Sequence, residues 1–494
     1  MHFKLNHLLL VLGFVNISLA LTTKEFMKSI GMGVNIGHTF DTIRDWSNID
    51  ISEINSDFKL WTDSEVKIKE AVEGYKNLGF HSIRIPVKWS TRPTTKTPIE
   101  PKLLKAVEEV VRVAIENDMY VIINLETDNF YMNGFISEDK AILTETYDSY
   151  KGTWKQIANY FKDYDEHLMF EALNESGYWE TIWNTRTADG DRPEALAVLL
   201  KVNQEFINTV RSIEGYNQER YLLIEGYACD PILTQDHFYK TPSDPKSSGK
   251  LIVSLYYFIP YTFTVIEKYG IWGSSYDVHQ LQEVVDDLRY RFVIQGVPVI
   301  FTRYGTNIRN RKREDIRSFL TSVANITTTG EIPSFFNDIG ALIDRTQVPL
   351  SFTDKELGES YLEMGKRFNP KPKTDNDNDN DNDNDDNEKE ICFSEPDYPC
   401  CSNCDVEIIW NDENKGQSWS IENNNWCGIL QSCFKTKTTT TTTTTSDTSN
   451  PTSNNCWSLA LGYPCCQSST KVHTTDENGS WGIENNQWCG IPTN

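Results

Sequence analysis

Only one cysteine, Cys229, precedes residue 390 in this chain of 494 residues, so disulfides cannot staple its long N-terminal part. Positive charge is also scarce. Lys and Arg number 47 against 71 Asp and Glu, for a formal charge of −24, which argues against nucleic acid as a partner. The balance is uneven, because nine acids and one lysine lie within 375–390. No apolar run is long enough to span a membrane as a helix. No glycine-rich phosphate loop follows the first strand-like segment, which argues against a dinucleotide-binding doubly wound sheet.

The first twenty residues contain Lys4, a short apolar core over 8–15, and the small residues Ser18 and Ala20. That order reads as a secretory signal cleaved after Ala20, and its core is too short for a spanning helix. Ten of the eleven cysteines fall in the last hundred or so residues, as in small secreted domains held by disulfides.

Between residues 21 and 369, short apolar strands alternate with helical stretches. Strands are expected at 33–37, 82–87, 120–125, 168–174, 221–226, 251–257, 297–301 and 334–342. Helices are expected at 63–78, 101–117, 193–213, 278–293 and 355–367, two of them opening on proline, which suits a first helical position. Eight strands separated by helices predict an α/β fold, a (β/α)8 TIM barrel, with its site where strand C-termini meet the following loops.

The fourth strand ends in adjacent Asn174 and Glu175. An amide beside a carboxyl at a strand end suits a glycosidase, in which the glutamic acid protonates the leaving oxygen and the amide binds a sugar hydroxyl. Such chemistry needs a second carboxylate, about 5–5.5 Å away if configuration is retained and further off if it is inverted. The seventh strand ends in Thr302-Arg303-Tyr304-Gly305, so a cation occupies the place expected for that anion. Arg303 cannot be a nucleophile, since its guanidinium stays protonated. Pairing with Glu175 or Glu126 would lower that carboxyl's pKa and weaken it as a proton donor. Glu126, at the end of the third strand, is the alternative carboxylate.

Residues 370–390, dense in Asp and Asn, form an acidic linker that cannot build a packed core. They lack the glycine turn and closing glutamate of an EF-hand loop. Two related segments follow, at 391–433 and 456–494, separated by a Thr-rich linker at 434–455 suited to O-glycosylation. Each carries Tyr-Pro-Cys-Cys and, further on, Glu-Asn-Asn-x-Trp-Cys-Gly-Ile. At under forty residues between their outer motifs, they need disulfides. They share four cysteines, in the first segment Cys392, Cys400, Cys401 and Cys427. Cys404 and Cys433 are present only in the first, which predicts that they bond to each other. Direct bonding of neighbours is strained, so the remaining four pair across the module in one of two ways. Zinc is the rival reading, but no histidine accompanies the first segment, so no metal is expected.

The tail segments resemble fungal dockerins and carbohydrate-binding module family 10. The resemblance implies recognition patches at Tyr398, Asp412 and Trp419, and at Tyr463, Asp476 and Trp481. The N-terminal part resembles glycoside hydrolase family 5, mostly retaining cellulases and related β-glucanases. The match rests on Gly33-Val34-Asn35-Ile36-Gly37-His38-Thr39-Phe40-Asp41, on Ser82-Ile83-Arg84-Ile85-Pro86-Val87 and on the segment ending in Asn174-Glu175. It implies acid/base chemistry at Glu175 and a site arginine at Arg84. Departures cluster at the site: Glu126 and Thr127 replace paired histidines, Leu255 replaces a histidine before Tyr256, Arg303 replaces the nucleophile, and Asn337 replaces a stacking tryptophan.

These readings together predict a TIM barrel followed by two small disulfide-rich β modules. The expected protein is secreted, extracellular and cellulosome-associated, with a catalytically impaired barrel that binds β-glucan or another plant cell-wall polysaccharide. Arg84, Asn174, Tyr256, Trp89 and Trp179 are the expected substrate contacts, with Tyr131 and Trp272 as further cleft aromatics. The dockerins are expected to engage a scaffold protein or glycan. No cofactor, nucleic acid or membrane is implied. The alternatives are an active endo-β-1,4-glucanase with rearranged carboxylates and a structural spacer of the cellulosome.

Overall fold

Eight short parallel strands close into a barrel in sequence order. They are β1 (Gly33–Ile36), β2 (Ser82–Ile85), β3 (Tyr120–Asn124), β4 (Leu168–Glu171), β5 (Leu222–Glu225), β6 (Leu251–Tyr257), β7 (Val299–Tyr304) and β8 (Ser334–Asp338), with β8 pairing back onto β1. The computed structural model describes residues 22–42, 44–89, 97–126, 129–174, 192–247, 249–266 and 271–368 of this part. In the tail it describes 400–401, 410–412, 417–422, 425–429, 474–475, 480–484 and 487–491. The chain divides into two compact units, Met1–Asp377 and Asn378–Asn494.

The strands are buried on both faces, which is why they read as apolar runs rather than alternating ones. Side chains still alternate in direction. Ile122, Met169, Leu223, Ile252, Ile300 and Phe335 form one cluster, while their neighbours such as Val121, Ile123, Phe170 and Val253 join the larger core beneath the helices. Helix Thr23–Ile30 adds Phe26, Met27 and Ile30 to the first cluster, and Phe26 stacks on Tyr221 with ring centroids 3.7 Å apart. Its first turn is set by a capping box between Thr22 and Glu25. The two-residue period then places the next inward layer two positions along each strand: Asn35, Arg84, Asn124, Glu171, Glu225, Ser254, Thr302 and Asn337. The polar floor of the site is therefore a consequence of strand register.

The five expected helices are present, as Ile68–Asn77, Pro101–Glu116, Arg192–Arg211, Ser275–Leu288 and Lys355–Phe368. Helices Lys140–Tyr160 and Arg313–Thr329 were not among them. The first is rich in Thr and aromatic residues and the second in Thr and Ser, whose weak helix preference is overridden here by packing of one face onto the barrel. That face includes Tyr150, Trp154 and Ile157 in the first helix and Phe319, Leu320 and Val323 in the second.

A partly buried histidine ties the closing helix to the barrel floor. His81 Nδ1 accepts from the Met32 N–H at 3.1 Å, and Nε2 lies 3.0 Å from the Gly365 carbonyl, so Nε2 carries the proton. Gly31, at φ +54°, makes room for it, since a Cβ there would fall 2.4 Å from Nδ1. Burial drives the His81 pKa down to about 4, helped by Lys76 and opposed by the Gly365 carbonyl. The folded value lies below the ordinary 6.5, so the unfolded chain binds the extra proton between them. Stability from this group is present above about pH 6.5 and lost as pH falls towards 4. Relative to wild type, the melting temperature of His81→Gln is expected to rise as pH falls across that window, because the variant lacks this contribution. A variant-minus-wild-type difference that does not change with pH would remove His81 as a contributor.

In the tail, Trp410–Asp412, Gln417–Glu422 and Asn425–Gly428 form one antiparallel sheet, and Thr474–Thr475, Ser480–Glu484 and Gln487–Gly490 another. The register repeats: Trp419 pairs with Gly428 and Ser420 with Cys427, as Trp481 pairs with Gly490 and Gly482 with Cys489. A disulfide joins Cys401 to Cys427 with Cα atoms 4.9 Å apart, within normal reach. This bond belongs to one of the two cross-module arrangements open from sequence; Cys392 lies outside the described residues. Cys404 and Cys433 lie outside the described residues, as do Tyr398, Tyr463 and Asp476. Asp412, Trp419 and Trp481 are placed on strands by their backbone. The expected signal segment at 1–20 and both linkers also lie outside the described residues.

Candidate active site

At the C-terminal mouth of the barrel, one arginine organises the polar floor. Arg84 is fully buried on β2. Its Nε donates to Glu171 Oε2 at 2.7 Å, Nη1 to Asn35 Oδ1 at 2.6 Å, and Nη2 to Asn174 Oδ1 at 3.1 Å and the Tyr256 hydroxyl at 3.3 Å. Burial alone would lower its pKa, but Glu171 and Tyr256 outweigh that and hold it above the ordinary range. Arg84 was expected as a substrate contact. At 0% exposure it instead braces the residues that face the cleft.

Glu171 receives a second bond, 2.5 Å, from the Ser254 hydroxyl, which lies 2.7 Å from the Thr302 hydroxyl. Asn35 in turn donates to Asn337 Oδ1 at 2.9 Å, joining β1 to β8. Tyr256 donates to Asn174 Oδ1 at 2.5 Å, and burial keeps its phenol protonated by raising its pKa well above the ordinary value. Asn174 Nδ2 donates to Glu126 Oε1 at 3.0 Å. The chain Glu171–Arg84–Asn174–Glu126 thus links β4, β2 and the loop after β3 in one network.

Glu126 is pushed up to about 7, chiefly by burial, against the pull of Arg84 and then Arg303. Arg303 pulls the Glu126 pKa downward, as expected of a neighbouring cation, but desolvation is the larger effect and the net shift is upward, so the carboxyl is not weakened as a proton donor. Near neutral pH this carboxyl is half protonated, so it can both give and take a proton.

Arg303 lies partly exposed on β7 with its guanidinium carbon 5.0 Å from the Tyr256 ring centroid and 5.9 Å from that of Phe258. The pairing register slips by one residue here: Leu255 opposes Phe301 but Tyr256 opposes Arg303. Thr302 is the extra residue, and it is fully buried. Leu255 is likewise buried in the apolar core.

Glu175, Trp179 and Thr127 lie outside the described residues. Trp89 is 3% exposed and spends its indole N–H on the Asn124 carbonyl at 2.7 Å, which leaves it a wall residue rather than an open platform. Tyr131 and Trp272 are buried in the core and do not line an open cleft. Sequence reading missed Asn35, Asn124, Glu171 and Ser254 as site residues. The signal was available in spacing: each sits two positions beyond an inward-facing residue of its own strand.

Residues 40–330 match the family model of cellulase (glycosyl hydrolase family 5), and 391–429 and 455–491 match that of a cellulose or protein binding domain. The chain is 30% identical over 470 residues to Endoglucanase B of Neocallimastix patriciarum, a match covering 92% of this chain and 91% of that protein. It is 28% identical over 308 residues to Endoglucanase A of Clostridium longisporum, covering 61% of this chain and 57% of that one. Among solved structures, a family 5 lichenase from a Caldicellulosiruptor species matches with a TM-score of 0.62 at 27% identity, over 70% of this chain and 96% of that one.

Proposed function

Because this chain belongs to glycosyl hydrolase family 5 and carries two modules of the cellulose or protein binding family, we propose that it hydrolyses β-1,4-linked glucan through a rearranged pair of carboxylates, Glu126 and Glu175. The observation that carries this reading is the partly buried Glu126 carboxyl, held by Asn174 at the barrel mouth with its pKa raised to about 7. A carboxyl in that state delivers a proton to a leaving glycosidic oxygen, while a second, ionised carboxyl draws a proton from water attacking the opposite face of the sugar. With Arg303 where a covalent nucleophile would stand, the proposed route is single displacement with inversion. The endoglucanase and lichenase names of the relatives support a β-glucan substrate. They also favour a working hydrolase over the impaired binder expected from the sequence.

One observation favours the second reading, a barrel that binds polysaccharide without turning it over: a cation sits at the end of β7. The two separate on a reducing-end assay of the full chain with soluble mixed-linkage β-glucan and carboxymethylcellulose. Steady release of new ends, with inverted anomers by NMR, supports hydrolysis by Glu126 and Glu175; no release with retention on the polymer supports the binder. Arg303→Glu is expected to change turnover by less than about tenfold, because Leu255 and Asn337 are also built into other contacts. A gain of a hundredfold or more would mean that only the nucleophile is missing.

The apolar N-terminal stretch and the disulfide-bonded tail support export, with 1–20 as a removable signal and 370–390 and 434–455 as linkers. The paired modules support attachment outside the cell to a scaffold protein or to a glycan.

A further inference from the structure

Beyond residue 20 the chain carries the acceptor pattern Asn-x-Ser/Thr three times, at Asn174, Asn325 and Asn478. Asn478 lies outside the described residues. The other two stand in opposite surroundings. Asn174 is 7% exposed and both ends of its amide are committed, Oδ1 to Arg84 and Tyr256 and Nδ2 to Glu126. An oligosaccharide on that nitrogen would have to displace the Glu126 bond and enter a buried layer. A molecule modified there could not assemble the polar floor.

Asn325 lies on the helix Arg313–Thr329, which connects β7 to β8. That helix buries Phe319, Leu320, Val323, Ala324 and Thr327. Asn325 falls outside this face, half-buried on the outward stripe that also carries Ser322 and Thr329. No hydrogen bond within the described residues uses its side-chain amide. Each barrel helix runs back from the mouth to the floor. Asn325, in the closing turns of its helix, therefore stands on the flank near the floor, far from Glu126. One turn on, Thr329 Oγ1 accepts from Arg367 of the closing helix at 3.4 Å.

The hydroxyl of the pattern fixes when modification can occur. Thr327 is fully buried, donates to the Val323 carbonyl at 2.7 Å, and lies 2.9 Å from the Ser334 hydroxyl. Side chains two residues apart on a helix do not face each other. The folded helix thus cannot present Asn325 and Thr327 together, and transfer has to act on the extended chain before the helix forms. Folding then buries the threonine and leaves the modified asparagine outside.

We propose that Asn325 is an N-glycosylation site filled during export, and that Asn174 stays unmodified in the folded protein. The proposal rests on the export reading above. The co-reactant is an oligosaccharide carried on a lipid pyrophosphate. The amide nitrogen bonds to C1 of the first sugar, the bond from C1 to the pyrophosphate oxygen breaks, the lipid pyrophosphate departs, and the amide gives up one proton to solvent.

The test is secretion of the full chain from a fungal host, followed by site-resolved mass spectrometry. Enzymatic removal of N-linked glycans in heavy-oxygen water is expected to leave a labelled aspartate in place of Asn325 and an unlabelled Asn174. Asn325→Gln and Thr327→Val should each abolish the label, and Thr327→Ser should keep it. Secreted protein that is bare at Asn325, or that carries a glycan at Asn174, overturns the proposal and leaves export standing. Protein retained inside the cell with both positions bare removes export and the proposal together.

Discussion

Glu126→Gln is expected to lower kcat/KM on soluble β-glucan by about 10²–10⁴-fold, the usual contribution of a positioned acid. Glutamine preserves the side chain's size and a partner for Asn174, but it has no proton to give. The pH dependence gives a sharper readout. With the Glu126 pKa near 7, wild-type kcat/KM should fall as pH rises through that value, since the free enzyme loses its acid. In the variant that alkaline limb should vanish. Stability carries the same signature with its own sign. The folded pKa lies above the ordinary 4.5, so the folded state binds more protons between the two values, and the Glu126 contribution to stability is lost as pH rises from about 4.5 to 7, opposite in sign to that of His81. Glu126→Gln should remove this contribution, so that its melting temperature rises relative to wild type as pH rises. A variant with full activity and an unaltered alkaline limb would eliminate Glu126 as the acid.

Arg84→Met should produce the largest loss of stability. It takes away four hydrogen bonds and leaves the Glu171 carboxylate buried with only Ser254. Removing one partner of a buried ion pair costs about 3–5 kcal/mol, which for a domain of this size is a melting-temperature drop of roughly 4–7 °C. The double variant Arg84→Met with Glu171→Met should recover much of it, because no uncompensated charge then remains. The single change should also raise the Glu126 pKa further, since Arg84 is the stronger of its two downward pulls. The alkaline limb of activity should then move to higher pH. A single variant as stable as wild type would show that the arginine is not the keystone of the floor.

The barrel was legible because its strands are buried on both faces. Apolar runs such as Tyr120–Asn124 and Leu251–Tyr257 are bounded by helical stretches or turns, and all eight appear within a few residues of expectation. The helix Lys140–Tyr160 was not read, because its threonines and aromatics are chosen for contact with the barrel and not for local helix preference. At the site, Glu126 and Arg303 were readable as unusual residues at strand ends. The downward pull of Arg303 on a neighbouring carboxyl was readable too. The net direction of the Glu126 shift was not, because it depends on how much water the fold removes from the carboxyl, and that is a property of the closed barrel. Likewise, Arg84 looks like a ligand-binding arginine from its motif alone. Only the simultaneous presence of Glu171, Asn35, Asn174 and Tyr256 around it reveals that its donors are already committed.

The side-chain amide of Asn174 has one permissible orientation. Its oxygen collects donors from Arg84, Tyr256 and Asn124, so a half-turn about the last bond would aim an NH2 at two of those groups that have only hydrogens to offer. Its nitrogen is thereby obliged to face Glu126 whether or not a sugar is present. Any hydroxyl that reached this nitrogen would have to accept from it, because the protein partners of the amide fix its orientation in advance.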